Sequence, residues 1–283
     1  MGSTSDSNYI LSDIELGNYE YTLRRTNSLG QKSAVSEVMP IGIGVFHTQL
    51  GGSQNEEPRQ IIASKQGGYL ISATTNSHDL SESLDGVDDW IIRLNEQGDV
   101  LNDLVINASN QIFNKLFEAS DGSIHLVGND EDEKKAIITK LNSELESQWS
   151  VFYRPEGELE NYYFKDIVAW NEKLYVCANS NNAAYLHEVN PENGSISGNI
   201  PLPIDASIDI RCSKLFVSSS NDLILFGGAE PADKEIVDYF SGGAYILSVN
   251  SNWEQVFTWN NVGARFHVYA GDAIELSNGR FAI

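Results

Sequence analysis

Carboxylic acids are the residues of this chain best suited to chemistry, because Asp and Glu together number 40 of its 283 residues. Two carboxyl groups can cleave a glycosidic bond, one as general acid and the other as base or nucleophile. The candidates that stand on or beside the first strand of a repeated unit are Asp166, Asp209 and Asp272, with Glu118 and Glu275 inside such strands. Any acidic chain offers similar triplets, so hydrolysis is an alternative hypothesis here and not the first one.

The stretch from Asp79 to Asp89 is the best candidate for a metal site. Carboxylate oxygens on a loop are the ligands that Ca²⁺ prefers, and Asp79, Asp85 and Asp88 could supply them. The stretch lacks the alternating acidic order of a calcium-binding loop, so no cofactor is expected, with Ca²⁺ at this stretch as the alternative. The five histidines lie far apart and show no spacing typical of a zinc site.

The elements that would position these groups are hairpins that recur about every 50 residues, a period typical of repeat architectures. One hairpin has short turns rich in Asn, Asp and Gly, which tight β-turns require. Its copies are Gln60–Ser64 with Tyr69–Ala73, Phe113–Ala119 with Ser123–Gly128, Phe164–Trp170 with Lys173–Ala178, Ser213–Ser218 with Leu223–Gly227, and Ala273–Leu276 with Arg280–Ile283.

A second hairpin follows each of the first four copies. Its copies are Trp90–Leu94 with Val100–Ile106, Ala136–Leu141 with Gln148–Tyr153, Tyr185–Val189 with Ile196–Leu202, and Tyr245–Val249 with Glu254–Trp259. Two hairpins make one four-stranded antiparallel blade, whose strands we label A to D in chain order. The repeat therefore predicts an all-β fold, a β-propeller of five blades.

The fifth blade lacks its second hairpin, and an open edge exposes unpaired backbone groups. We expect residues 18–39, with strands Tyr19–Arg25 and Gln31–Val38, to complete that blade, so that residues 1–283 form a single propeller. The alternative divides the chain into residues 1–42 and a propeller of residues 43–283. Residues 17–38 also resemble the last two strands of a fibronectin type III domain, so the first segment would be a remnant of that fold or a linker. A longer parent chain with more blades is also open.

Three short motifs carry a family resemblance: Leu50-Gly51-Gly52-Ser53, Gly67-Gly68-Tyr69-Leu70-Ile71, and Asp88-Asp89-Trp90 with the run to Asn95. Together they resemble a degenerate propeller repeat of secreted and surface proteins of Bacteroidetes-type bacteria. The match is good over residues 46–106 and weak beyond them. The resemblance implies an exported, surface-exposed or lipid-anchored protein, with any anchor upstream of residue 1, and it implies no reaction.

Strand order places the loops between B and C and between D and A on one face, which we call the long-loop face. The A–B and C–D turns are short, whereas the loops of this face are long, and such loops carry function when a scaffold holds them. The face collects carboxylates and aromatic rings. Its predicted ligand-binding residues are Asp85, Asp88, Asp89, Asp130, Asp132, Glu158, Tyr162, Tyr163, Asp238, Tyr239 and Phe240.

Charge limits the partners of this chain. Its net charge of −22 repels phosphate backbones, which argues against nucleic acid. No apolar run is long enough to cross a membrane. We interpret Cys177 and Cys212 as two buried free thiols, with a disulfide as the alternative.

These patterns favour a non-enzymatic, extracytoplasmic binding module that presents an acidic long-loop face to a protein or glycan. The alternatives are a polysaccharide-active propeller hydrolase with carboxylates at the channel mouth, and a structural domain of a larger surface assembly. The sequence leaves the ligand and the oligomeric state open.

Overall fold

A computed structural model describes residues 17–21, 39–43, 48–77, 79–80, 87–106, 111–156, 162–180, 183–232, 243–260, 273–276 and 279–282. The chain divides into two compact units, residues 1–49 with 97–99 and residues 50–96 with 100–283. In the first unit, β1 (Gly17–Tyr21) pairs antiparallel with β2 (Met39–Ile43), with Tyr19 opposite Ile41. The predicted pairing of Tyr19 with the segment 31–38 is therefore wrong in register. The role of these strands in closing a blade stays a prediction.

The second unit consists of blades built from consecutive antiparallel strands. Blade 1 contains β3 (Glu56–Ala63), β4 (Tyr69–Thr75), β5 (Asp88–Leu94) and β6 (Val100–Ile106). Blade 2 contains β7 (Gln111–Glu118), β8 (Ile124–Asp130), β9 (Lys135–Leu141) and β10 (Ser147–Tyr153).

Two further blades and a hairpin follow. Blade 3 contains β11 (Tyr162–Trp170), β12 (Lys173–Ser180) and β13 (Ala183–Val189). Blade 4 contains β14 (Ile208–Val217), β15 (Leu223–Pro231), β16 (Gly243–Val249) and β17 (Gln255–Asn260). The hairpin pairs β18 (Ile274–Glu275) with β19 (Phe281–Ala282). The all-β propeller class predicted from the repeat is confirmed, while five-blade closure stays a prediction.

The third blade corrects one predicted strand. Residues Ile196–Leu202 were expected to form strand D, but only Ile196 makes a bridge to β13. The run holds Pro201, which has no N–H to donate. Part of the backbone ladder persists, since Ser197 N donates to Glu188 O at 2.9 Å and Ile200 N donates to Leu186 O at 2.8 Å. Side chains complete it, because Ser197 Oγ accepts from Glu188 N at 2.9 Å and Asn199 Oδ1 accepts from Leu186 N at 3.3 Å.

Apolar residues of neighbouring blades meet in clusters at each junction. Leu70 of blade 1 packs in one cluster with Phe113 of blade 2, and Val127 of blade 2 in another with Phe164 of blade 3. These side chains are fully buried, and each such burial contributes about 1.5–3 kcal/mol. The packing of these side chains therefore fixes neighbouring blades against one another.

Cys177 and Cys212 form a disulfide between β12 of blade 3 and β14 of blade 4, with their Cα atoms 6.3 Å apart. The interpretation as free thiols is wrong. It treated each cysteine as part of its own blade, whereas strand B of blade 3 packs against strand A of blade 4. Closing a 35-residue separation by a disulfide stabilises the fold by about 4 kcal/mol in the chain-entropy description.

The first strand of each blade carries a β-bulge, at which one extra residue interrupts the ladder. The bulged residues are Arg59, Asn114, Lys165 and Ser213. Opposite each bulge strand B carries a small residue: Ala73, Gly128, Ala178 and Gly227. A Cβ added at Gly128 would overlap the carbonyl oxygen of Ile112, so the bulge requires glycine there.

Candidate functional site

The predicted ligand-binding face is described only in part. Six residues named for the face, the metal site or the acid pair lie outside the described residues: Asp85, Glu158, Asp238, Tyr239, Phe240 and Asp272. The remainder can be placed, and they divide into buried and exposed groups.

Three residues predicted for the face are buried within strands. Asp88 and Asp89 begin β5 and are 1% and 2% exposed, and Tyr162 begins β11 and is 1% exposed. The Tyr162 hydroxyl lies 2.6 Å from Nε2 of His187, another buried side chain. These three side chains are buried because each strand begins two residues earlier than the sequence predicts. Their role in binding a ligand stays a prediction.

Asp89 serves the junction between blades 1 and 2. Its carboxylate oxygens accept from the backbone N–H of Phe113 at 3.2 and 3.3 Å. Burial raises the pKa of Asp89 to about 7, against the opposing effects of that hydrogen bond and of Arg59. Asn179 makes the analogous link between blades 3 and 4, pairing its amide with both N and O of Cys212 at 2.8 Å.

The remaining acids of the face lie at loop ends. Asp130 is 7% exposed, and its Oδ1 accepts from Glu133 N at 2.8 Å, so that it shapes the turn between β8 and β9. Asp132 is exposed in that turn, and Tyr163 on β11 is half-buried. Asp132 is therefore the predicted face residue that a ligand would reach most easily among those described.

The calcium expectation rests on residues that the structure only partly describes. Asp79 is exposed, and its Oδ1 accepts from Ser53 N at 2.9 Å and from Ser53 Oγ at 2.7 Å. Asp88 is buried in β5. Within the described ranges, no group of three or more His, Cys, Asp or Glu side chains could hold a metal ion. A calcium site at Asp79, Asp85 and Asp88 stays a prediction.

The first strands of the blades, which we call the inner strands (β3, β7, β11, β14 and β18), are joined by side chains that reach across each junction. Gln60 Oε1 accepts from Leu116 N at 2.8 Å, and Asn114 Nδ2 donates to Phe164 O at 3.0 Å. Asp166 Oδ2 accepts from Leu215 N at 2.8 Å, and Lys214 Nζ donates to Ala273 O at 2.8 Å. Every linking side chain stands at a bulge or directly after it.

Asp166, a candidate catalytic acid, is one of these links. It is 7% exposed, and its Oδ1 accepts from Ile167 N at 2.9 Å while its Oδ2 accepts from Leu215 N. Burial raises the pKa of Asp166 to about 6, whereas Lys115, the two N–H groups and Lys214 oppose that rise. Both oxygens face backbone donors, so the carboxyl group has the contacts of a structural acceptor.

The other candidate acids are also engaged or only half-buried at an edge. Asp209 lies near the start of β14, half-buried and opposite Glu230. Glu118 accepts from Ser64 Oγ at 3.0 Å and Lys65 N at 2.6 Å, across the junction between blades 1 and 2. Glu275 makes the matching pair of contacts to Ser219 of blade 4, at 2.6 and 2.7 Å.

Sequence reasoning missed the basic residues of the inner strands. Arg59, Lys115, Lys165 and Lys214 stand at a bulge or next to one on four successive blades. The signal was present, since a Lys or Arg recurs in each of these strands of an acidic chain.

Comparisons with known proteins add the following. No protein-family model matches the chain, and no curated protein matches it significantly. Among solved structures, a protein from Lactobacillus plantarum matches at TM-score 0.46 and 9% identity, over 86% of this chain and 65% of its own.

Two further solved structures are enzymes by name. Sucrose-6-phosphate hydrolase from Lactobacillus gasseri matches at a TM-score of 0.48 and 14% identity, over 80% of this chain and 52% of its own. Xylan β-1,4-xylosidase from Bacillus halodurans C-125 matches at a TM-score of 0.42 and 12% identity, over 88% of this chain and 53% of its own. This chain thus spans about half the length of these two enzymes and less than two thirds of the first structure. At these identities the likeness assigns no activity to it.

Proposed function

We propose that this chain is a non-enzymatic binding module that works outside the cytoplasm. Its blades form a rigid scaffold, and the long-loop face presents its loops to a protein or a glycan. The observation that carries the proposal is the engagement of Asp166, whose two oxygens accept backbone N–H groups from two adjacent blades. An acid held in this way stabilises the scaffold, because both of its oxygens already accept backbone hydrogen bonds.

The other strand acids support the same conclusion. Glu118 and Glu275 hold the turn of the preceding blade, and Asp89 holds the first strand of the following one. Asp166, Glu118 and Glu275, three of the candidate acids, thus make contacts that hold blades together. The acids that remain accessible, such as Asp132, lie in loops, where they can contact a ligand.

The disulfide between Cys177 and Cys212 supports the proposed location. Stable structural disulfides form in oxidising compartments and are rare in the reducing cytosol. Both cysteines are buried, which protects the bond from exchange with soluble thiols. Among the described residues, no helix has the length and hydrophobicity to span a bilayer.

The experiment is a screen of the purified chain against soluble polysaccharides that records retention and released sugar ends together. We expect retention without product. The variant Asp132→Asn is expected to weaken retention, whereas Glu192→Gln, an exposed acid in a C–D turn on the opposite face, should leave it unchanged. If the screen showed neither retention nor product and pull-downs from a cell surface captured no partner, the structural-domain alternative would be favoured.

A second candidate function has one specific observation in its favour. The pKa of Asp166, raised by burial to about 6, lies in the range that a general acid of a glycoside hydrolase uses. If the screen released sugar ends and Asp166→Asn abolished that release in a folded protein, the chain would be a polysaccharide hydrolase. If wild type and Asp166→Asn both retained the polysaccharide fully and neither released sugar ends, the result would support the binding module.

A further inference from the structure

Basic residues are scarce in this chain, with 18 Lys and Arg against 40 Asp and Glu, yet the inner strands concentrate them. Arg59 lies on β3, Lys115 on β7, Lys165 on β11 and Lys214 on β14. Since β11 contacts both β7 and β14, the lysines of these three inner strands lie on neighbouring strands. The bulges re-aim side chains at this level of each strand.

One residue at each bulge or directly after it joins its blade to the next, but two lysines at these positions do not. Gln60, Asn114, Asp166 and Lys214 each bond to the backbone of the next blade. In β7 the bulged Asn114 makes the bond to the next blade, and Lys115 does not. In β11 Asp166 makes this bond, and the bulged Lys165 does not.

Lys115 and Lys165 are half-buried, and neither forms an ion pair within the part of the chain that the structure describes. The Lys165 ammonium instead lies 4.9 Å from the centroid of the Tyr163 ring. Partial burial of an ammonium without a carboxylate partner costs free energy. In accord with that cost, burial lowers the pKa of Lys165.

The carboxylate nearest in the chain does not neutralise these lysines. Asp166 directly follows Lys165 on β11, and the fields of Lys115 and Lys214 both reach it. Its oxygens, however, are directed at the N–H groups of Ile167 and Leu215. The ammonium groups of Lys115 and Lys214 therefore act on one carboxylate that already has its hydrogen-bond partners.

We propose that Lys115 and Lys165 form a binding site for an oxyanion, a carboxylate or sulfate group carried by an acidic saccharide. An oxyanion would give each ammonium the charge-assisted hydrogen bonds it lacks, and the Tyr163 ring beside Lys165 offers a face on which a sugar can stack. Of the three residues of this site, only Tyr163 is also a predicted residue of the long-loop face. The choice of a saccharide as the carrier rests on the proposed function, whereas the oxyanion site itself does not.

The test is calorimetric titration of the intact chain with inorganic sulfate, trigalacturonate and neutral dextran at low salt. We expect the two anions to bind and dextran not to bind at this site. Lys115→Met and Lys165→Met should each weaken anion binding about tenfold or more, the loss expected for one charge-assisted contact. The control Lys173→Met removes an exposed lysine paired with Glu188 and should leave binding unchanged.

Further variants separate the outcomes. Lys115→Arg and Lys165→Arg keep the charge and should retain binding, and thermal unfolding of every variant checks that it folds. Anion binding that survives both methionine variants overturns the proposed site, even if polysaccharides are retained elsewhere. Binding of sulfate and trigalacturonate that is lost in the methionine variants supports the site, even if the polysaccharide screen is silent and the proposed function fails.

Discussion

Replacing Glu118 with alanine removes the acceptor that joins the first two blades at their A–B turns. The Glu118 side chain is 1% exposed, and its Oε1 lies 3.6 Å from Nη2 of Arg93, which is 7% exposed. The same carboxylate accepts from Ser64 Oγ and Lys65 N. Arg93 in turn donates through Nη1 to Ser64 Oγ at 3.2 Å and Gln66 Oε1 at 3.3 Å.

The cost follows from what the substitution leaves behind. Breaking a buried ion pair by removing one member costs about 3–5 kcal/mol, because the other charge stays buried without its partner. The free energy of unfolding of a domain is about 5–15 kcal/mol in total, so Glu118→Ala should lose a large share of the stability. Glu118→Gln keeps one oxygen for Lys65 N and should lose less, about 1–3 kcal/mol.

Equilibrium unfolding in urea measures these losses. Lys135→Met is the matched control, because its partner Glu133 is exposed and such a surface pair is worth about 0–1 kcal/mol. The double variant Arg93→Met with Glu118→Leu should recover most of the loss, since it removes both charges and fills the space. A free energy of unfolding of Glu118→Ala within about 1 kcal/mol of the wild-type value would refute the reasoning, since breaking a coupled buried network should destabilise the fold by more than that.

Three further predictions concern single contacts. Reducing the Cys177–Cys212 disulfide should lower the unfolding free energy by about 4 kcal/mol, and the double variant Cys177→Ala, Cys212→Ala should match reduced wild type in urea. Gly128→Ala should destabilise the chain, because its Cβ meets the Ile112 carbonyl, whereas Gly198→Ala, which meets nothing within 4 Å, should be neutral in thermal unfolding. The Asp166 contribution to stability is full below its ordinary pKa of 3.8 and is lost as the pH rises through about 6, because the folded state holds the proton more tightly. The difference in stability between wild type and Asp166→Asn should therefore vary between pH 4 and pH 6, and a constant difference would contradict the raised pKa.

The hairpins could be predicted from the sequence because their determinants are local. The Asp121-Gly122 turn joins β7 to β8 as expected, and Gly122 adopts a φ of 83°, which glycine tolerates best. Strand β9, predicted from residue 136 to 141, is observed at Lys135–Leu141. Residues within a few positions of one another decide such elements, so a single sequence is enough to recognise them.

The contacts between blades could not be predicted in the same way. Asp166 reaches Leu215 and Gln60 reaches Leu116, and such partners are set by how one blade packs on the next. No local pattern distinguishes a buried linking acid from a catalytic one, so the sequence alone leaves Asp166 a candidate catalytic acid. The disulfide could not be predicted either, because its two cysteines meet only through the packing of one blade on the next.

A weaker signal of the junctions was nevertheless present in the sequence. The predicted second strands end on Ala73, Gly128, Ala178 and Gly227, and these small residues face the bulges. A small residue recurring at one position of every repeat indicates a close approach of another backbone. The polar residue opposite it in strand A then becomes the natural candidate for a link between blades.

The linked inner strands also bear on how a ligand would bind. Because each inner strand is bonded to the next, Lys115 and Lys165 are held on backbones that cannot shift independently. Preorganised charges lose little conformational entropy on binding, which favours affinity for a small anion over a large contact area. The turn between β8 and β9 has the opposite character, because its acid Asp132 is exposed on a connection of the kind that tolerates variation. The scaffold would then combine a fixed basic site with a variable acidic face, so that the two could recognise different parts of one ligand or two different ligands.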